Sequence, residues 1–148
     1  MMNIQILYFD TKHAIAVHDW IIENSGGLSG YRELGLLDSA LEHIQNDLYY
    51  PSFEEKLKHL IYAVNKFHPF SDGNKRSSLT LGAYFLELNG YDYCIKKFVQ
   101  EMENIVVWLA EGKIKEDLLF EIITSIIEED DYSESLKLRI FEAVYTSD

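Results

Sequence analysis

The sequence predicts an all-α fold. Apolar residues recur at helical spacing through most of the chain, and cap and stop residues punctuate those stretches. Only two short segments, "NIQILYF" and "GLSGYREL", leave room for extended backbone, a small β-hairpin at most. With 148 residues, 47% of them apolar, and only 2 prolines, the chain reads as a single domain over residues 1–148.

The elements follow in order. "DTKHAIAVHDWIIENSGG" offers Asp10 or Thr11 as a cap, carries Ala14, Ile15, His18, Ile21 and Ile22 on one face, and stops at Gly26–Gly27. "LLDSALEHIQNDL" sets Leu37, Ala40, Leu41, Ile44 and Leu48 on a stripe, and "FEEKLKHLIYAVNKF" does so with Leu57, Leu60, Ile61, Val64 and Phe67. "KRSSLTLGAYFLELNG" is apolar nearly all round, the pattern of a buried central helix, closed by Asn89–Gly90. Three further helices are expected. They carry Phe98, Met102, Ile105, Val106 and Leu109; then Leu118, Leu119, Ile122, Ile123 and Ile126; then Leu136, Ile140, Phe141 and Val144. The total is about seven helices. Residues 128–148 form an acidic connection ("EEDD") and the last helix.

A net charge of −12 argues against nucleic acid and against an anionic membrane surface, because both demand clustered Lys and Arg. The single cysteine, Cys94, excludes an internal disulfide and reads as a packing residue in a reducing compartment. The N-terminus lacks the pattern of a signal peptide, and no apolar run approaches the roughly 18–20 residues of a membrane span. A cytoplasmic protein is expected.

One stretch needs more than a structural reason. "FHPFSDGNKRSS", residues 67–78, gathers His68, Pro69, Asp72, Gly73, Asn74, Lys75 and Arg76. Pro69 disfavours helix at His68, so the preceding helix ends near Phe67. Asn74 is a good cap for the next one. The stretch is thus a loop feeding a helix N-terminus, where N–H groups lie unpaired and the dipole is positive. Lys75 and Arg76 are misplaced there unless an anion is bound, and the natural anion is a phosphate. Gly73 allows close approach to the backbone. His68 titrates near neutral pH and suits a general base. Asp72 beside phosphates suits Mg²⁺. Phe70 pins the loop to the core. Base, metal ligand and phosphate cradle are the parts of phosphoryl or nucleotidyl transfer.

"HPFSDGNKR" resembles the signature of the Fic/Doc (Fido) superfamily, His-x-Phe-x-Asp/Glu-Gly/Ala-Asn-Gly/Lys-Arg. The segments 25–41 and 109–119 resemble those flanking the motif in Doc ("death on curing") toxins, so the likeness spans roughly residues 10–127. It implies a single Fido domain with His68 as base on a target hydroxyl. It further implies Asp72 as Mg²⁺ ligand, and Gly73, Asn74, Lys75 and Arg76 as the phosphate-binding residues for ATP. The segment 28–34, with Leu28, Ser29, Gly30, Tyr31 and Arg32, becomes a flap that aligns a target peptide.

Two positions speak to the subfamily. AMP-transferring Fic enzymes usually carry glycine at Lys75 and a second arginine at Leu79. Lysine without that arginine resembles Doc, which implies transfer of the γ-phosphate to elongation factor Tu and a separate antitoxin as partner. A Fic-type AMP transferase is the alternative. Some Fic proteins silence themselves through a helix bearing Ser/Thr-x-x-x-Glu-Gly/Asn. Ser125 and Glu129 have that spacing, but Asp130 follows. From another reaction class, "VHDW" resembles the His-Asp dipeptide of helical metal-dependent phosphohydrolases, with His18, Asp19 and His59 or His68 as ligands. The spacing instead places His18 on the apolar face of its helix, at the core edge. A catalytically dead binding module is disfavoured, since no motif position is degraded.

Overall fold

The computed structural model describes residues 5–146. Seven α-helices run α1 (Thr11–Ser25), α2 (Leu34–His43), α3 (Phe53–Phe67), α4 (Asn74–Leu88), α5 (Ile95–Ala110), α6 (Glu116–Glu128) and α7 (Glu134–Tyr145), with one 3₁₀ turn at Asp92–Cys94. The all-α expectation holds. Asp10 is the cap of α1: its carboxylate accepts the His13 N–H at 2.9 Å. Thr11 turns instead to Asp38, tying α1 to α2. Ser52 and Ser133 cap α3 and α7 in the same way.

Helix α4 is the centre. It packs along α3 and α5, and more lightly on α1. Its Ser77, Ser78, Leu81, Phe85 and Leu86 are buried. The α3 stripe of Leu57, Leu60, Ile61 and Val64 and the α5 stripe of Phe98, Met102, Ile105, Val106 and Leu109 close over it, with α6 behind. Cys94 is buried in this core, where desolvation raises its thiol pKa, in keeping with a packing role.

Four expectations need correction. The α2 stripe does not reach Leu48. The helix ends at His43, and Asn46 turns its carboxyamide back onto the Leu48 N–H at 2.9 Å, so Leu48 is 92% exposed. Phe141 of α7 lies 54% exposed, because α7 packs on the core along its Leu136, Ile140 and Val144 face instead. There is no hairpin among the described residues, only one antiparallel bridge, Tyr31 to Phe70. The described part of "NIQILYF", residues 5–9, forms no strand. Asn89 satisfies both backbone groups of Leu7 there, at 2.8 and 3.0 Å, in place of a strand partner.

One fully buried cation was not foreseen. Lys56 of α3 donates to the Ile44 carbonyl and to the Asp47 carboxylate, both at 2.7 Å, so it closes the C-terminal end of α2. Lys56→Ala leaves the carbonyl orphaned and a void around the lost stem. The expected loss is about 3 kcal/mol in a denaturant titration. A loss under about 1 kcal/mol would show that water replaces the ammonium without cost.

Candidate active site

The α3–α4 connection is six residues, 68–73. It begins with a left-handed residue: His68, at φ 50° and ψ 57°, is the C-cap of α3. Left-handed backbone turns the chain sharply out of the helix, and Pro69 prevents its continuation. Phe70 is fully buried and anchors the middle of the loop, as expected.

The loop is closed by Asn74. Its Oδ1 accepts the Phe70 N–H at 3.1 Å, and its Nδ2 donates to the Phe70 carbonyl at 3.0 Å. Asn74 is therefore the first residue of α4, not its cap; Gly73 occupies that position. The amide is largely committed to the loop itself. Gly73 also departs from its expected role. At φ 77° it needs no side chain, and a Cβ there would face Ile22 at 3.1 Å and the His18 ring at 3.5 Å. The missing side chain thus serves close packing against α1, while Gly73 also lines the cavity.

Asp72 is held at both oxygens. Oδ1 accepts the Gly73 N–H at 2.8 Å and Oδ2 accepts the Leu28 N–H at 3.0 Å. These two bonds, Leu28 first, lower its pKa, with smaller help from the charge of Arg76. The carboxylate is thus ionised at neutral pH. The Gly73 N–H is used up in this way. The first intrahelical bond of α4 runs from Ser77 to the Gly73 carbonyl, which leaves the N–H groups of Asn74, Lys75 and Arg76 without a partner among the described residues.

The motif side chains converge. His68, Asp72, Gly73, Asn74, Lys75 and Arg76 line one cavity of about 340 Å³, with Asn65, Ser71 and Ala110 completing the wall. His68 and Lys75 are exposed, and among the described residues neither side chain has a polar partner. Arg76 is partly engaged. Its Nη1 donates to Ser25 Oγ at 2.6 Å and to the Gly26 carbonyl at 2.9 Å, strapping α4 to the end of α1.

The segment Leu28–Arg32 lies against the loop edge rather than in the cavity. The Gly30 carbonyl accepts the Ser71 N–H at 3.0 Å, and the Arg32 N–H donates to the Pro69 carbonyl at 2.9 Å. Leu28 and Tyr31 project outward, 71% and 50% exposed. Ser29 is exposed between them.

Other expectations dissolve on this geometry. His18, His59 and His68 do not converge: the His59 ring packs tilted against Tyr50, and the His18 Nε2 is hydrogen-bonded to the Asp72 carbonyl at 2.6 Å. Among the described residues no three His, Cys, Asp or Glu side chains form a metal-binding group. This removes the phosphohydrolase ligand set. Glu129 is remote. It follows the end of α6, where Lys97 near the start of α5 binds its carbonyl at 2.9 Å. The cavity meets Ala110 at the other end of α5, roughly 20 Å away at the α-helical rise. Glu129 therefore makes no pair with Arg76.

Sequence reading missed Gly27. It sits at φ 119°, and a Cβ there would lie 2.8 Å from Asp72 Oδ2 and 3.0 Å from Arg76 Nη2. Gly27→Ala should push both charged groups off their partners, with strain on the order of 1–3 kcal/mol. Anion affinity at the cavity should fall while the helical circular dichroism persists. Unchanged affinity would free the 27–28 turn of any role in the site.

A model of the Fic/DOC family matches residues 8–86. The protein kinase doc of Escherichia phage P1 is 29% identical over 111 residues, which cover 72% of this chain and 85% of that one.

Proposed function

Because the chain belongs to the Fic/DOC family, we propose that it moves a phosphate-containing group from ATP to a protein hydroxyl. One observation supports this above others. An exposed imidazole, an ionised carboxylate, an unpaired lysine and three free helix-start N–H groups face a single cavity.

The ATP phosphates are assigned to the N–H groups of Asn74, Lys75 and Arg76, with the Lys75 ammonium neutralising their charge. Arg76 adds those guanidinium N–H groups that do not strap α1. His68 accepts the proton of the target hydroxyl as its oxygen forms a bond to phosphorus, and the bond to the departing phosphate oxygen breaks. The donor set fits Mg²⁺ in one way: Asp72 keeps lone pairs beyond its two N–H bonds, but it stands alone, so the ion must share phosphate oxygens. Such an ion neutralises phosphate charge when bound. The segment 28–32 is assigned to the target protein, for its outward Leu28 and Tyr31.

The finer reading is γ-phosphate transfer, as in the relative named a protein kinase. Lys75 lines the cavity, and Leu79 packs against the core where an AMP-transferring enzyme would place an arginine. By the same kinship the target is elongation factor Tu, and a separate antitoxin covers the site.

Label from γ-³²P ATP should therefore appear on a protein target, and label from α-³²P ATP should not. The reverse makes this an AMP transferase. His68→Ala should lower transfer by on the order of 10²–10⁴ while ATP still binds. Near-wild-type transfer would remove His68 from the mechanism.

Expression of the chain alone should arrest growth, and His68→Ala should relieve the arrest. Growth unaffected by the active protein would argue against the toxin reading.

A further inference from the structure

His18 is fully buried on α1, directly beneath the motif loop. Its ring lies flat on that of Phe70, with centroids 3.8 Å apart and an interplanar angle of 6°. Its Nε2 lies 2.6 Å from the main-chain carbonyl of Asp72. A carbonyl only accepts, so the proton belongs to Nε2, and the contact is an N–H donor to oxygen. The same ring thus grips the side chain two residues before the carboxylate and the backbone of the carboxylate itself.

The rest of α1 supports this seat. Ile22, one turn on, fills the space opposite Gly27 and Gly73, and Ser25 receives Arg76. Positions 18, 22 and 25 fall on one helix face. No other part of the fold touches both the Asp72 carbonyl and Phe70 with one group among the bonds and ring contacts of the described residues.

We propose that His18 is a positioning residue of the motif loop: its Nε2–H fixes the Asp72 carbonyl, and thereby the aim of the Asp72 carboxylate and of the N–H groups that follow. Its effect on nucleotide rests on the function proposed above; its effect on the loop does not. Asn74 closes the loop internally, whereas His18 fixes it to the body of the domain. A loop closed only by Asn74 could rock as a unit. The hydrogen bond from α1 removes that freedom, as preorganised sites require.

Two variants separate the bond from the stack. His18→Phe keeps a flat ring and loses the donor. His18→Gln places an N–H at the same number of bonds from the backbone and loses the ring. In His18→Phe, exchange of the hydrogen-bonded Gly73 and Ser77 amides should quicken about tenfold, the scale of one net hydrogen bond. The Mg²⁺ concentration for half-maximal ATP binding should rise by a similar factor, and His18→Gln should restore both. His18→Phe with wild-type exchange overturns the proposal. So does an unchanged Mg²⁺ midpoint, or an equal change in both variants, which would mark bulk packing. If the wild type binds no ATP with Mg²⁺, the proposed function falls, and the exchange data alone decide the role of His18. If the Phe variant does not fold, the wild type still answers. A ¹⁵N–¹H spectrum should show a slowly exchanging Nε2 proton on His18, and its absence overturns the assignment.

Discussion

The amide of Asn74, locked onto both backbone groups of Phe70, is the interaction on which the site depends. The loop must bring a histidine, a carboxylate and the open end of α4 to one cavity in six residues. Backbone N–H groups facing a ligand cannot be paired within the protein, so something else must hold the loop. A side chain that imitates a strand partner does this without using the N–H groups at the start of α4. Phe70, fully buried, then converts a closed loop into an anchored one.

Around that lock, α1 acts as the backing plate. It contributes the ring of His18, the methyl of Ile22 and acceptors for Arg76 at Ser25 and Gly26. The following segment supplies the Leu28 N–H that orients Asp72. A site made formally from one motif is in fact built from two stretches about fifty residues apart in sequence, as is expected where catalytic groups sit on loops over a rigid scaffold.

Helix periodicity was legible because each stripe repeats many times over, so α3, α4, α5 and α6 follow directly from their apolar residues. The end of α2 was not, since one Asn46 side chain decides it against a continuing apolar pattern. That the motif residues belong together was legible, and they line one cavity. Their partners were not. Asp72 to Leu28 spans 44 positions and Arg76 to Ser25 spans 51, and no local pattern encodes such pairs. Gly73 and Asn74 show a further limit. Glycine at a helix start suits ligand approach and left-handed backbone equally, and asparagine suits a cap and a loop clamp equally. Only the packing against α1 and the bonds to Phe70 distinguish these uses.

The left-handed turn at His68 bears on the entropy of catalysis. A helix precedes that residue and a proline ring follows it, so its main chain has little left to search. The imidazole, free of polar partners among the described residues, retains only its two side-chain torsions. The ring can therefore sweep a small arc about a stationary Cα. On the proposed function, such a side chain would serve as a mobile base while giving up almost none of the orientation that an intramolecular reaction depends on.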